Sequence, residues 1–118
     1  MKVYSYFRCN TCTKALKYIR SKGFDPQVID IVEQPPSAKE LSTMLKAYDG
    51  DIRKLFNTSG QVYRELKIKD KIQDMTSKEA IDLLKNNGKL IKRPFLLHGK
   101  TALVGFKEDQ WKVMAATT

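Results

Sequence analysis

The chain's two cysteines stand at Cys9-Asn10-Thr11-Cys12. They follow a run of strand formers and open a run with helical spacing. At a helix N-terminus four backbone N–H groups lack partners, and the helix dipole favours negative charge. An ordinary thiol with a pKa of ~8.5 is only a few per cent thiolate at neutral pH, and this placement favours the reactive anion. Cys9 lies nearest the strand end and reads as the nucleophile. Cys12, about one helical turn on, reads as the resolving partner, provided the sulfurs meet the specific geometry of a disulfide. The amides of Asn10 and Thr11 would face an anion held at Cys9, and Thr11 and Thr13 add hydroxyls. Cysteines that only pack would fall on an apolar stripe, whereas these sit at the helix start.

Arg93-Pro94 is the second constellation. X–Pro is the one context where a cis peptide bond is cheap, and proline can open a strand. Arg93 then has two chemical readings: a bidentate grip on an oxyanion, or support for a thiolate. The plain reading is a surface arginine in a turn. Asn57-Thr58-Ser59-Gly60 reads as a turn between helices, with an anion nest as the alternative. His98 falls in an expected hairpin turn and carries no assigned role. Two cysteines and one histidine fall short of the ligand set of a structural zinc site, so no metal is expected.

The elements that must position these groups follow from periodicity. Lys2 to Phe7 is rich in β-formers and predicts a strand. Thr13 to Lys22 predicts an amphipathic helix with Ala15, Leu16 and Ile19 on one stripe and Gly23 as its stop. Pro26 to Val32 predicts a second strand, which completes a parallel βαβ unit. Ser37-Ala38-Lys39-Glu40 and Thr76-Ser77-Lys78-Glu79 are both capping boxes and predict two further helices, the second stopped at Asn86-Asn87-Gly88. A short helix is expected around Ile52 to Phe56. Phe95-Leu96-Leu97 and Thr101 to Val104 predict a hairpin around a three-residue turn, His98-Gly99-Lys100. Phe106 to Met114 predicts a last helix, with Phe106 and Trp111 covering the sheet. A CxxC at the first strand–helix junction of a βαβ unit is the thioredoxin-like pattern.

At 118 residues the chain is expected to be one domain with a real core, and 42% hydrophobic with 30% charged residues describes a globular protein. No apolar run approaches the ~20 residues of a membrane span, and the first residues do not form a secretory signal. The expected compartment is therefore the cytoplasm, where thiols stay reduced. The net charge of +9, from 22 basic and 13 acidic residues, is either a solvated surface or the footprint of an acidic partner. The basic residues are dispersed and no DNA-reading motif is present, so sequence-specific DNA binding is not expected.

Cys9-Asn10-Thr11-Cys12, Gln34-Pro35-Pro36-Ser37, Leu55 to Gly60, Leu90 to Pro94 and Val104-Gly105-Phe106 together resemble the ArsC/Spx family over nearly the whole chain. These are thioredoxin-fold proteins that include glutaredoxin-linked arsenate reductases and the Spx regulators of bacterial RNA polymerase. The resemblance implies an α/β, thioredoxin-like fold: a βαβ half and a ββα half forming one mixed sheet (about 1–33 and 89–118), with a helical insert between them (about 34–88). It also implies a cis Pro94. In the arsenate reductases the nucleophilic cysteine matches Cys9, and the arginine of the Arg-Pro motif matches Arg93. At the positions of two further oxyanion-binding arginines this chain has Asn57 and Gly105-Phe106, with Arg53 and Lys107 nearby but out of register. Each missing guanidinium removes charge-assisted hydrogen bonds of ~1.5–3 kcal/mol, so weak arsenate binding is expected. Spx members share the CxxC as a thiol–disulfide switch and bind the C-terminal domain of the polymerase α subunit, but little past the last helix matches their longer C-terminal region.

The functional expectation is a cytoplasmic thiol–disulfide oxidoreductase. Cys9 attacks, Cys12 resolves, and Asn10, Thr11, Arg93 and Pro94 frame a small anionic or disulfide substrate. Thioredoxin, glutaredoxin or a low-molecular-weight thiol restores the dithiol, with no bound cofactor. The alternative is an Spx-type regulator that binds the RNA polymerase α subunit. A monomer without membrane contact is expected in either case.

Overall fold

The computed structural model describes residues 1–117, so Thr118, the last residue of the expected second core segment, lies outside the described residues. The sheet has four strands in the order β2-β1-β3-β4. β1 (Lys2–Ser5) runs parallel to β2 (Gln27–Asp30) and antiparallel to β3 (Phe95–His98), which pairs antiparallel with β4 (Thr101–Val104). α1 (Asn10–Ser21) connects β1 to β2. The fold is the expected α/β, thioredoxin-like arrangement with a mixed sheet.

Because strand side chains alternate between faces, the sheet carries two cores. On one face Val3 and Leu96 meet Ala15 and Ile19 of α1 and Trp111 and Met114 of α6 (Glu108–Ala116). On the other face Tyr4, Phe95, Ala102 and Val104 meet Leu41, Met44 and Leu45 of α2 (Ala38–Ala47) and Ala80 and Leu84 of α5 (Ser77–Lys85). The helical segment after β2 thus shares a core with the sheet. Tyr48, the C-cap of α2, accepts the Val104 N–H at 3.0 Å with its hydroxyl, which ties α2 to the edge strand β4.

Both capping boxes form as read, Ser37 with Glu40 and Thr76 with Glu79. Other boundaries differ. β1 ends at Ser5 rather than Phe7, because the chain turns to bring the Cys9 N–H onto the Tyr6 carbonyl at 3.0 Å. α1 therefore begins at Asn10, not Thr13. Likewise β2 is the shorter Gln27–Asp30, and the Asp30 carboxylate accepts the N–H groups of Val32 and Glu33 as the chain leaves the sheet. The expected helix near Ile52 is a 3₁₀ turn, Ile52–Leu55. Two short helices, α3 (Gln61–Glu65) and α4 (Ile68–Lys71), were not expected; Lys67 between them adopts φ 53°. The hairpin turn is Gly99-Lys100 alone, with Gly99 at φ 59° and His98 paired to Thr101 inside the ladder. Positive φ at the first turn position is what a type II′ hairpin turn requires. His98 is thus a strand residue whose ring stands edge-on to Phe24 at 5.8 Å. The last helix starts at Glu108, where Glu108 and Asp109 complement the dipole.

α5 stops at Lys85 with Asn86 as its C-cap, inside the expected Asn86-Asn87-Gly88 stop, and Gly88 has a further role. It opens a 3₁₀ turn, Gly88–Leu90, and is buried. A Cβ there would collide with the Ile31 carbonyl just past β2. The residue is glycine because two backbones meet at that point.

Glu40 joins the α2 cap to the sheet. Its carboxylate accepts the Ser37 N–H at 3.0 Å, the Tyr4 hydroxyl at 2.7 Å and the Lys2 ammonium at 2.9 Å. Burial opposes its ionisation, but the bonds from Ser37, Lys2 and Tyr4 outweigh it and hold the carboxyl below its ordinary value. Burial, then the bond to Glu40, pushes the Tyr4 phenol well above its own. A carboxyl lowered by folding contributes stability that is present above the unfolded pKa and lost as pH falls through the folded one. Glu40→Gln should therefore cost about 1 kcal/mol at pH 7 in urea unfolding. The gap to the parent should narrow once the pH drops below about 4. A gap that stays constant to pH 3 would contradict this role.

Candidate active site

Cys9 is the N-cap of α1, with extended backbone at φ −103° and ψ 108°. Its sulfur accepts the Cys12 N–H at 3.2 Å, the place usually taken by a Ser, Thr, Asp or Asn oxygen. No acidic side chain occupies the first turn of α1, so no carboxylate competes for the orphan amides there. Thr13 clamps the Cys9 carbonyl from two sides, its N–H at 3.1 Å and its hydroxyl at 3.3 Å. The sulfur is held by the Cys12 N–H at the positive end of a helix.

Both cysteines are free thiols, and they differ sharply in access. Cys9 is half-buried, while Cys12 is 1% exposed. Burial pushes the Cys12 thiol up to about 12; its hydrogen bond with Cys9 and the charge at Cys9 add to this, while the Tyr6 backbone and the Ser5 hydroxyl pull the other way. Cys12 is therefore protonated and shielded at neutral pH. The pair is chemically asymmetric before any substrate arrives.

A cavity of about 570 Å³ opens beside Cys9. Thr11 lines it with Cys9, and Asn57, Lys92, Arg93 and Lys107 face it from other elements. Three separate stretches of sequence thus converge on the sulfur. The Arg93-Pro94 bond is cis. Pro94 is buried and its carbonyl accepts the Gly105 N–H at 2.8 Å, which fixes the end of β4 to the start of β3. Pro94 supports the wall rather than lining it, and Asn10 is an exposed first helical residue outside the lining set.

The Arg93 guanidinium lies over the Tyr6 ring, 4.9 Å from its centroid. It also donates to the Lys89 carbonyl at 3.3 Å. Its positive charge reaches the cavity wall while its fork is turned to an aromatic face and the backbone. The Asn57 to Gly60 turn belongs to the cavity: the Asn57 N–H donates to the Leu90 carbonyl at 2.7 Å, and Asn57, Ser59 and Gly60 all line the space. Arg53 does not line it, and Lys107 does. Tyr6 and Lys92 are the site residues that the sequence reading missed. Tyr6 looked like one more strand residue, and Lys92 one more solvated cation. Among the described residues no three His, Cys, Asp or Glu side chains cluster as metal ligands would.

The ArsC family model matches residues 4–114. The uncharacterized protein YusI of Bacillus subtilis is 45% identical over 109 residues, 92% of each chain. The global transcriptional regulator Spx of Streptococcus pyogenes is 28% identical over 102 residues, 86% of this chain and 75% of its own length. Among solved structures, a possible arsenate reductase from Streptococcus mutans superposes with a TM-score of 0.86 at 34% identity, covering 94% of this chain and 96% of its own.

The access difference gives a direct expectation. In the folded, reduced protein, iodoacetamide should alkylate Cys9 roughly two orders of magnitude faster than Cys12. Peptide mapping should find Cys12 modified only after unfolding. Equal labelling of both sulfurs in the native protein would contradict the asymmetry.

Proposed function

The chain belongs to the ArsC family, and from that premise we propose that it is a thiol–disulfide oxidoreductase in which Cys9 attacks and Cys12 resolves. The observation that carries this reading is the pairing of a half-exposed sulfur at a helix N-cap with a sealed sulfur one turn away. In the first step the Cys9 thiolate attacks one sulfur of a substrate disulfide. A Cys9–substrate S–S bond forms, the substrate's own S–S bond breaks, and the departing thiolate takes a proton from solvent. In the second step Cys12 loses its proton and attacks the Cys9 sulfur. The Cys9–Cys12 bond forms and the second substrate thiolate leaves. Two electrons have passed from protein to substrate, and an external dithiol or small thiol returns them.

Disulfide substrates fit this chain better than arsenate does. The family resemblance puts Asn57 and Gly105-Phe106 at the positions of two arsenate-reductase arginines, and Arg93 is engaged with Tyr6. A tetrahedral oxyanion needs several charge-assisted donors converging on one centre. The role proposed for Arg93 is to hold positive charge at the wall against which a thiolate leaves, with Asn10 and Thr11 contributing the helix-start amides.

A second reading rests on the likeness to Spx. Closing the Cys9–Cys12 bond would remove the cap from α1 and alter the surface around it, so a partner such as the RNA polymerase α C-terminal domain would sense the redox state. Binding to that domain in only one redox state would favour this reading.

Single-turnover reaction of the pre-reduced protein with a small disulfide, in the absence of any other thiol, tests the main proposal. The parent should release two thiols per disulfide consumed. Cys12→Ser should stall as a covalent Cys9 adduct after releasing one, and Cys9→Ser should release none. Equal rates in all three proteins would defeat the assignment.

A further inference from the structure

Two lysines meet at the cavity without a carboxylate to answer them. Lys92 and Lys107 both line it, and no Asp or Glu is among the lining residues. The ion pairs among the described residues engage Lys2, Lys78 and Lys85, not these two. A cation facing a cavity with no carboxylate partner is available for an anionic ligand.

Lys92 is placed by backbone, not by chance. Its N–H donates to the Leu55 carbonyl at 2.8 Å, which anchors it between the 3₁₀ turn and β3. Its stem lies across Gly105, where a Cβ would sit 2.9 Å from Lys92 Cε. Gly105 has φ 73° and is pinned on both sides, its N–H to Pro94 and its carbonyl to the Trp111 indole N–H at 3.1 Å. The glycine leaves a slot, and the slot carries the lysine toward the cavity. Lys107 arrives independently, as the extended N-cap of α6.

Ammonium groups are compact point charges and cannot form the bidentate fork that suits a single oxyanion. Two of them, on different elements around about 570 Å³, suit a ligand whose negative charges are separated. That volume is in the range of pockets that take whole small molecules. We propose that Lys92 and Lys107 form a carboxylate subsite that selects low-molecular-weight disulfides bearing two or more carboxylates. The inference rests on the oxidoreductase reading above and names its substrate class. One carboxylate-bearing half stays on Cys9 as the mixed disulfide and the other leaves as its thiol. Cys12 then displaces the first half, and an external dithiol re-reduces the protein, so electrons balance as before.

The test is a ratio of rates. Second-order rate constants are measured for the dianionic 5,5′-dithiobis(2-nitrobenzoate) and for neutral dipyridyl disulfide at low ionic strength. Lys92→Gln and Lys107→Gln should each lower the anionic-to-neutral ratio about fivefold, and the double variant by more than tenfold. Raising the salt should compress the parent's ratio in the same direction. Lys92→Arg with Lys107→Arg should keep the ratio, and so should the charge-matched pair Lys39→Gln with Lys46→Gln on α2. Arsenate should protect Cys9 no better than chloride at equal ionic strength; specific protection by arsenate would overturn the subsite. An unchanged ratio in the double Gln variant, with neutral disulfide still closing Cys9 to Cys12, would overturn the subsite and leave the oxidoreductase reading standing. Failure of the parent to react with either disulfide would overturn both.

Discussion

One hydrogen bond organises this protein: the Cys12 N–H donated to the Cys9 sulfur at the first turn of α1. It makes a sulfur serve as a helix cap, and so places the proposed nucleophile at the positive end of a dipole. The same turn of helix that exposes Cys9 drives Cys12 inward against the sheet. The unequal access of the two thiols therefore comes from one local geometry. The rest of the fold keeps that geometry in place. β1 delivers the chain to the turn, Tyr6 receives the Cys9 N–H, and Ala15 and Ile19 lock α1 onto the sheet face beyond.

The opposite wall of the cavity is assembled from residues far apart in sequence, and its precision comes from backbone contacts. Pro94 and Gly105 join the two strands of the hairpin at its base, Asn57 is bonded to Leu90, and Lys92 to Leu55. Gly88 lets the insert backbone touch the Ile31 carbonyl region, where any side chain would push it away. These contacts carry no charge and do no chemistry. They set where Arg93, Lys92 and Lys107 can stand. Glycine and proline matter here because each fixes a close approach or a backbone path that other residues would not allow.

Much of this was legible in the sequence because it is written locally. A capping box is a pattern of four residues, and both boxes formed where Ser37 and Thr76 announced them. The CxxC between a strand and a helix, and the Arg-Pro before a hairpin, are likewise short signals with a mechanical meaning. The segment from 61 to 74 was not legible, since α3 and α4 are single turns too short to show a period, and their apolar residues only make sense as lids on the core. His98 was misplaced because a two-residue turn and a three-residue turn leave nearly the same trace in sequence. Lys92 and Lys107 were invisible as a pair, because nothing in a linear chain says that the slot over Gly105 and the start of α6 open on one cavity.

In the proposed mechanism an accessible capping sulfur and a sealed partner bridge to each other. Intact-mass measurement of the reduced protein after one equivalent of a neutral disulfide tests it most directly. The account expects the loss of two hydrogens, localised by peptide mapping to the stretch holding Cys9 and Cys12, with no adduct retained. A stable adduct on Cys9, with Cys12 still open to alkylation after unfolding, would contradict it.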